Sequence, residues 1–267
     1  MEYIYILFSF MFGTIIGSFL NVVVWRLPQG ETLIGRSQCP SCKRTLGPLE
    51  LVPILSFLVQ KGRCLGCRTH IFFRYMLIEI LTGLLFAGAW VCIGPTDLVG
   101  FLELARVWFG ISVFVCVFII DLEHYLILDK VIFPATGILL VFNLALGIVQ
   151  GSLTNFDGIL ISGIIAALAA FFVFFCLWAI SFGKWLGFGD VKLMIVMGLF
   201  LGWPVVWVAV LLAFYLGASV SIVLLALKKK GLKSMVPFGT FLTIATLLAY
   251  IWGKPLVLWY VHLLGLA

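Results

Sequence analysis

Two aspartates, Asp121 and Asp190, interrupt apolar sequence where a charge is hard to accommodate. Asp121 ends the run Ile111-Ser112-Val113-Phe114-Val115-Cys116-Val117-Phe118-Ile119-Ile120, and Asp190 closes Gly187-Phe188-Gly189-Asp190 before another apolar run. Carboxylates at membrane depth are costly and mark functional sites by default. Two that meet cannot both ionise readily; they share a proton and titrate as a unit. One then takes a proton from water while its protonated partner polarises a peptide carbonyl, the chemistry of aspartic proteases. Gly187 and Gly189 suit such a site, because glycine permits unusual backbone angles and lets a substrate backbone come close. Lys192 lies two residues from Asp190 in sequence and is expected to bias the charge of the pair. Glu123, His124 and Asp129 lie near Asp121 and read as solvated or supporting residues, while Glu79 and Glu103 fall in or beside apolar runs. Glu79, close to the basic loop, is the more interesting of the two; pairing with a nearby Arg or Lys during helix packing is its plainer alternative. Two plainer uses remain open: Asp190 capping a helix that starts at Val191, and an ion or proton pathway, which also places acids inside a bundle.

A second constellation is made of thiols. Cys39-Pro40-Ser41-Cys42 and Cys64-Leu65-Gly66-Cys67 are two CxxC pairs separated by 21 residues. Paired knuckles of this kind supply four thiolates to a tetrahedral zinc ion. Lys43, Arg63 and Arg68 flank them and favour a thiolate-rich centre. With no open coordination position, the metal is expected to be structural and not hydrolytic. Two disulfides or a redox pair are the alternative, and a cytosolic loop disfavours stable disulfides. Cys92, Cys116 and Cys176 sit in apolar runs and read as buried small hydrophobes.

The elements that must position these groups are membrane helices. The chain is 64% hydrophobic and 10% charged, against about 25% charged in soluble domains. Its net charge of +6 reads as membrane topology, with no nucleic-acid surface. The N-terminus lacks the basic region of a cleavable signal peptide. Windows of about 20 apolar residues predict spans near 3–25, 73–93, 101–120, 127–149, 158–180, 191–201, 205–227 and 236–261, the sixth being short. The expected fold is therefore an all-α polytopic membrane protein of about eight helices with a small zinc-ribbon-like loop. Its parts are a first helix (1–25), the loop (26–72) and a helical bundle (73–267). Arg26, Arg36, Lys43, Arg44, Lys61, Arg63, Arg68 and Arg74 fall in the first loop. Lys130, Lys184, Lys192, Lys228, Lys229, Lys230 and Lys233 fall in connections on the same side. The positive-inside rule then puts the loop and both aspartates at the cytosolic face.

These residues, in order and over nearly the whole chain, resemble the bacterial type IV prepilin leader peptidase/N-methyltransferase family. The resemblance rests on Gly17-Ser18-Phe19-Leu20-Asn21 through Pro28, the two CxxC pairs, Arg74-Tyr75 followed by Glu79, Asp121-Leu122-Glu123-His124, Gly187-Phe188-Gly189-Asp190, and Val236-Pro237-Phe238-Gly239. It implies an enzyme of the bacterial inner membrane with two activities. Asp121 and Asp190 would cleave the leader of prepilins or pseudopilins, and the new N-terminus would be methylated from S-adenosylmethionine. The family often has Ile-Pro-Asp where this chain has Ile127-Leu128-Asp129, so the turn is expected to be looser. No Gly-rich nucleotide fingerprint is present. The segment Asn21–Glu79, with Glu79, is the candidate for the methyl-donor site. A proton- or ion-coupled transporter carrying a structural zinc loop is the competing reading, and it lacks the paired broken helices of many carriers.

Overall fold

A computed structural model describes residues 2–156, 158–227 and 236–265. The lysines at 228, 229, 230 and 233, used in the charge argument, lie outside the described residues. Nine α-helices account for the described fold: α1 (Glu2–Arg26), α2 (Leu55–Val59), α3 (Phe73–Ile93), α4 (Leu98–His124), α5 (Asp129–Val149), α6 (Ile159–Ile180), α7 (Phe188–Leu201), α8 (Val205–Ala226) and α9 (Phe238–Leu263). Seven of them are long and apolar enough to cross a membrane: α1, α3, α4, α5, α6, α8 and α9. The protein is an all-α, multi-pass membrane protein. Two compact units, Met1–Cys116 and Val117–Ala267, divide within α4.

In the first unit, α1 packs along α3 at backbone distance. A β-carbon on Gly13 would lie 2.8 Å from the Gly83 Cα, and one on Gly17 would lie 2.8 Å from the Glu79 Cα. Small residues four apart are what let membrane helices approach this closely, because apolar lipid gives no hydrophobic drive for association. Aromatic contacts extend the seam. Tyr5 stacks on Trp90, and Trp108 stacks on Phe86 while its indole N–H donates to the Phe86 carbonyl at 3.1 Å. Arg106, buried in α4, is paired with Glu103 one turn earlier through two hydrogen bonds.

In the second unit the short predicted span is a helix of 14 residues, α7. At 1.5 Å per residue it is about 21 Å long, short of the roughly 30 Å hydrocarbon core. It nevertheless runs alongside most of α6. At one end Phe188 packs on Trp178, and at the other the Trp203 N–H donates to the Ser162 hydroxyl at 2.9 Å. The chain therefore reverses direction through α7, as an eighth pass would require. Its length need not match the lipid, because Val191, Leu193, Met194, Val196 and Met197 are wholly enclosed by protein. The Asn143 amide of α5 donates to the Leu199 carbonyl at 2.8 Å, holding the far end of α7.

The contact between α6 and α7 leaves no space for a side chain. A β-carbon on Gly198 would sit 2.3 Å from both the nitrogen and Cα of Ala167. Backbone atoms cannot step aside, so Gly198→Ala must push α7 away from α6. We expect a loss of about 1–3 kcal/mol, the usual cost of overpacking, read as a lower melting temperature in detergent. Gly137→Ala in α5, which meets nothing within 4 Å, should leave the melting temperature unchanged or raise it slightly. Equal melting temperatures for wild type and Gly198→Ala would refute the packing argument.

Candidate active site and thiol cluster

Asp121 lies inside α4, which continues to His124, so the carboxylate leaves the helix in its last turn and not at the end of a span. It is 5% exposed. Both hydrogen bonds it receives from Thr240 land on Oδ2: the backbone N–H at 2.7 Å and the hydroxyl at 3.1 Å. Thr240 belongs to the first turn of α9, where backbone N–H groups have no partner within the helix. Gly239 is what allows the approach, since a β-carbon there would lie 2.9 Å from Asp121 Oδ2.

Asp190 lies in the first turn of α7, which begins at Phe188, with Gly187 as its N-cap. The helix thus starts three residues before the expected Val191, and Asp190 is not the cap residue. Asp190 is 9% exposed, and its Oδ2 would lie 3.3 Å from a β-carbon on Gly187. Ile127 connects the helix starts that border the two aspartates. A β-carbon on Gly239 would meet its Cδ1 at 2.9 Å, and one on Gly189 would meet its Cβ at 2.9 Å. The start of α9, the 125–128 turn and the start of α7 therefore close around one aliphatic side chain.

This geometry corrects two expectations. Gly187 has φ −70° and ψ 143°, ordinary extended backbone, and Gly189 is helical. Neither glycine is there for an unusual angle. Gly189 is glycine because Ile127 fills the space of a side chain. The ammonium group of Lys192 is engaged by Asp129, at the start of α5, and lies over the Phe188 ring. The lysine thus ties the starts of α5 and α7 together. Leu128, at the position of the family proline, is the N-cap of α5 with φ −83° and ψ 130°, an extended conformation. Thr240 was not singled out from the sequence. The available signal was its place directly after Pro237-Phe238-Gly239, where a helix beginning at Phe238 presents its free N–H groups.

The four cysteines of the first unit come together, their sulfurs all within 4.8 Å of one another and Cys39 Sγ 3.7 Å from Cys67 Sγ. Tetrahedral coordination at about 2.3 Å places sulfurs about 3.8 Å apart, so a metal ion fits this cluster. The two knuckles repeat one local design. The Cys39 N–H donates to the Arg44 carbonyl at 2.9 Å and the Cys64 N–H to the Thr69 carbonyl at 3.0 Å. The residue after each second cysteine, Lys43 or Arg68, has φ near +60°. Gln38 pairs with Thr45 and Arg63 with His70 in isolated antiparallel bridges. The Thr69 hydroxyl, 3.2 Å from the sulfur, holds the Cys67 thiol down to about 6. The Cys67 backbone N–H likewise lowers Cys64. Cys42 goes the other way, to about 11: the Arg44 backbone pulls it down, but desolvation and the three neighbouring sulfurs outweigh that. A dication at the centre would cancel the repulsion between sulfurs and favour all four thiolates.

Glu79 is buried in α3, and its carboxylate accepts the Ile54 N–H at 2.8 Å. The described hydrogen bond of Glu79 is thus to a backbone amide and not to an Arg or Lys side chain. Ile54 adopts φ 62°, ψ −54°, a costly conformation for a β-branched residue. One turn from Gly17, the Asn21 amide donates to the Tyr75 carbonyl at 3.1 Å.

The chain matches the profile of the bacterial peptidase A24 N-terminal domain over residues 11–93 and that of the type IV leader peptidase family over residues 108–222. A prepilin leader peptidase/N-methyltransferase of Aeromonas hydrophila is 33% identical over 97% of this chain and 95% of its own. Proteins of the same name from Bacillus subtilis (strain 168) and Pseudomonas aeruginosa are 32% and 27% identical, covering 95% and 98% of this chain and 97% and 95% of their own. No solved structure matches. Full-length similarity at this level, with the second profile covering both buried aspartates, means that the chain belongs to the type IV leader peptidase family.

Proposed function

We propose that Asp121 and Asp190 form the catalytic pair of a prepilin leader peptidase acting at the cytosolic face of the bacterial inner membrane. The observation that supports the reading is that both carboxylates are buried, each at the end of a different helix, beside helix starts that close around Ile127. One carboxylate removes a proton from water, and the oxygen attacks the scissile carbonyl carbon. The protonated partner gives its proton to the carbonyl oxygen. The tetrahedral intermediate then collapses, the C–N bond breaks, and the departing nitrogen takes a proton from the pair. The substrate is a prepilin or pseudopilin, an apolar membrane helix preceded by a basic leader. A site at the cytosolic end of the bundle lies where leader and helix join. The clustering of Lys and Arg in the first loop supports that orientation.

The same protein is proposed to methylate the new N-terminal amine, with S-adenosylmethionine supplying the methyl group. We assign peptide hydrolysis to the bundle within 73–267 and place the loop 26–72 with the methyltransferase part. The loop is held by one structural zinc ion on Cys39, Cys42, Cys64 and Cys67, and Glu79 anchors its α2 turn to α3 through Ile54.

Asp121→Ala and Asp190→Ala should each lower cleavage of a prepilin in membranes at least about 1,000-fold, a loss typical of removing an essential catalytic group, with the folded protein still present. Undiminished cleavage by either variant would sink the reading. A transporter would instead lose an ion flux and cleave nothing.

Purified protein should carry about one zinc per chain by elemental analysis. A Cys39→Ser/Cys64→Ser variant, lacking one thiol from each knuckle, should carry none, and its loop should become more sensitive to protease. A metal-free wild-type protein with an equally protected loop would reject the zinc assignment.

A further inference from the structure

We propose that Thr240 is a positioning residue for the peptidase reaction, gripping one oxygen of Asp121 and reserving the other for the reacting proton. The inference rests on the peptidase reading above and adds a residue to it. Both contacts of Thr240 fall on Oδ2, from the backbone N–H at 2.7 Å and from the hydroxyl at 3.1 Å. An amide N–H can only donate, so Oδ2 is always an acceptor. A proton resident on Asp121 is therefore directed to Oδ1. For two carboxylates that pass one proton between them, knowing which oxygen carries it fixes the geometry of the transfer.

The hydroxyl has a different task. It has a single proton and two acceptors within reach, Asp121 Oδ2 at 3.1 Å and the Pro237 carbonyl at 2.9 Å. An ionised carboxylate is the stronger acceptor and draws the hydroxyl proton. Once Asp121 is protonated that advantage falls, and the hydroxyl turns to Pro237. Neither state leaves the hydroxyl unsatisfied at a residue only 4% exposed, where an orphaned donor is expensive. Thr240 thus follows the charge of Asp121 through the reaction without moving its backbone.

The surroundings hold it in place. The Thr243 hydroxyl donates to the Thr240 carbonyl at 2.8 Å. A β-carbon on Gly239 would lie 2.9 Å from Ile127 Cδ1, so no larger residue fits there without displacement. A helix N-terminus aimed at the carboxylate adds a favourable dipole, which no side-chain substitution at position 240 removes.

The test is steady-state cleavage of a prepilin by the full-length protein reconstituted in lipid. Thr240→Val keeps the shape and the N–H but loses the hydroxyl. We expect kcat to fall about 10- to 100-fold, the effect of losing one hydrogen bond to a charged group, with KM unchanged. Thr240→Ser should recover most of the rate. If Thr240→Val melts below wild type, Thr240→Ala replaces it, and the same fall in kcat is expected. A kcat within twofold of wild type in a folded Val or Ala variant overturns the proposal, as does a rise in KM that carries the whole effect. Failure of Thr240→Ser to recover activity also overturns it. Asp190→Ala is assayed in parallel: if it still cleaves, the peptidase pair itself is wrong, whereas an inactive Asp190→Ala beside a fully active Thr240→Val rejects only the role of Thr240.

Discussion

Burying two carboxylates inside an apolar bundle sets the terms for the rest of the second unit. Such a group needs hydrogen-bond donors at fixed positions, or its desolvation is uncompensated. Water-exposed lysines would be mobile donors. Helix N-termini are better, because their first N–H groups are unpaired in any case and point along the axis. The start of α9 serves Asp121, and the start of α7 carries Asp190 with Gly187 behind it. Asp121 is thus held in part by a backbone N–H, and backbone does not change rotamer.

Backbone donors work only if helices come close, and closeness is where the glycines act. Gly239 lets α9 reach Asp121, and Gly189 lets α7 reach Ile127. Gly198, at the other end of α7, lets that helix lie against the backbone of α6. A 14-residue helix enclosed this tightly has little freedom to tilt or slide, although it does not match a bilayer in length. The fixed position of Asp190 therefore comes from protein packing and not from lipid.

Much of this was legible in the sequence. Apolar runs separated by charged or glycine-containing connections gave the helices within a few residues, and the CxxC spacing gave a cluster that a metal fits. The aspartates stood out because charge is rare in such runs. What was not legible had two causes. Helix starts were placed where the apolar run began, so α7 was expected to begin at Val191 and the glycines before it were read as sites of unusual backbone angles. Their reason depends on Ile127, far away in sequence, and no local pattern reports that. Thr240 was hidden for the opposite reason: a threonine in an apolar helix is unremarked until its N–H is seen facing a carboxylate. Lys192 misled because sequence adjacency suggested Asp190, whereas on a helix a neighbour two positions away faces elsewhere, here toward Asp129.

The two units solve a similar problem with different materials. The loop in the first unit is too small to fold on apolar burial alone, and its knuckles place β-turn residues with φ near +60° at Lys43 and Arg68 so that four thiols converge. The strain at those positions and at Ile54 needs something to hold it, and the sulfur cluster and Glu79 are the groups that touch these turns. In the second unit the convergent groups are carboxylates, and the holding groups are helix ends. A metal can draw thiolates together because its charge is opposite to theirs. Two carboxylates have no such centre, so in the proposed catalytic pair their approach would have to be imposed by packing, and a shared proton would make it tolerable. In that proposed pair, the repulsion that makes assembly costly would also be what keeps one proton poised between the two members.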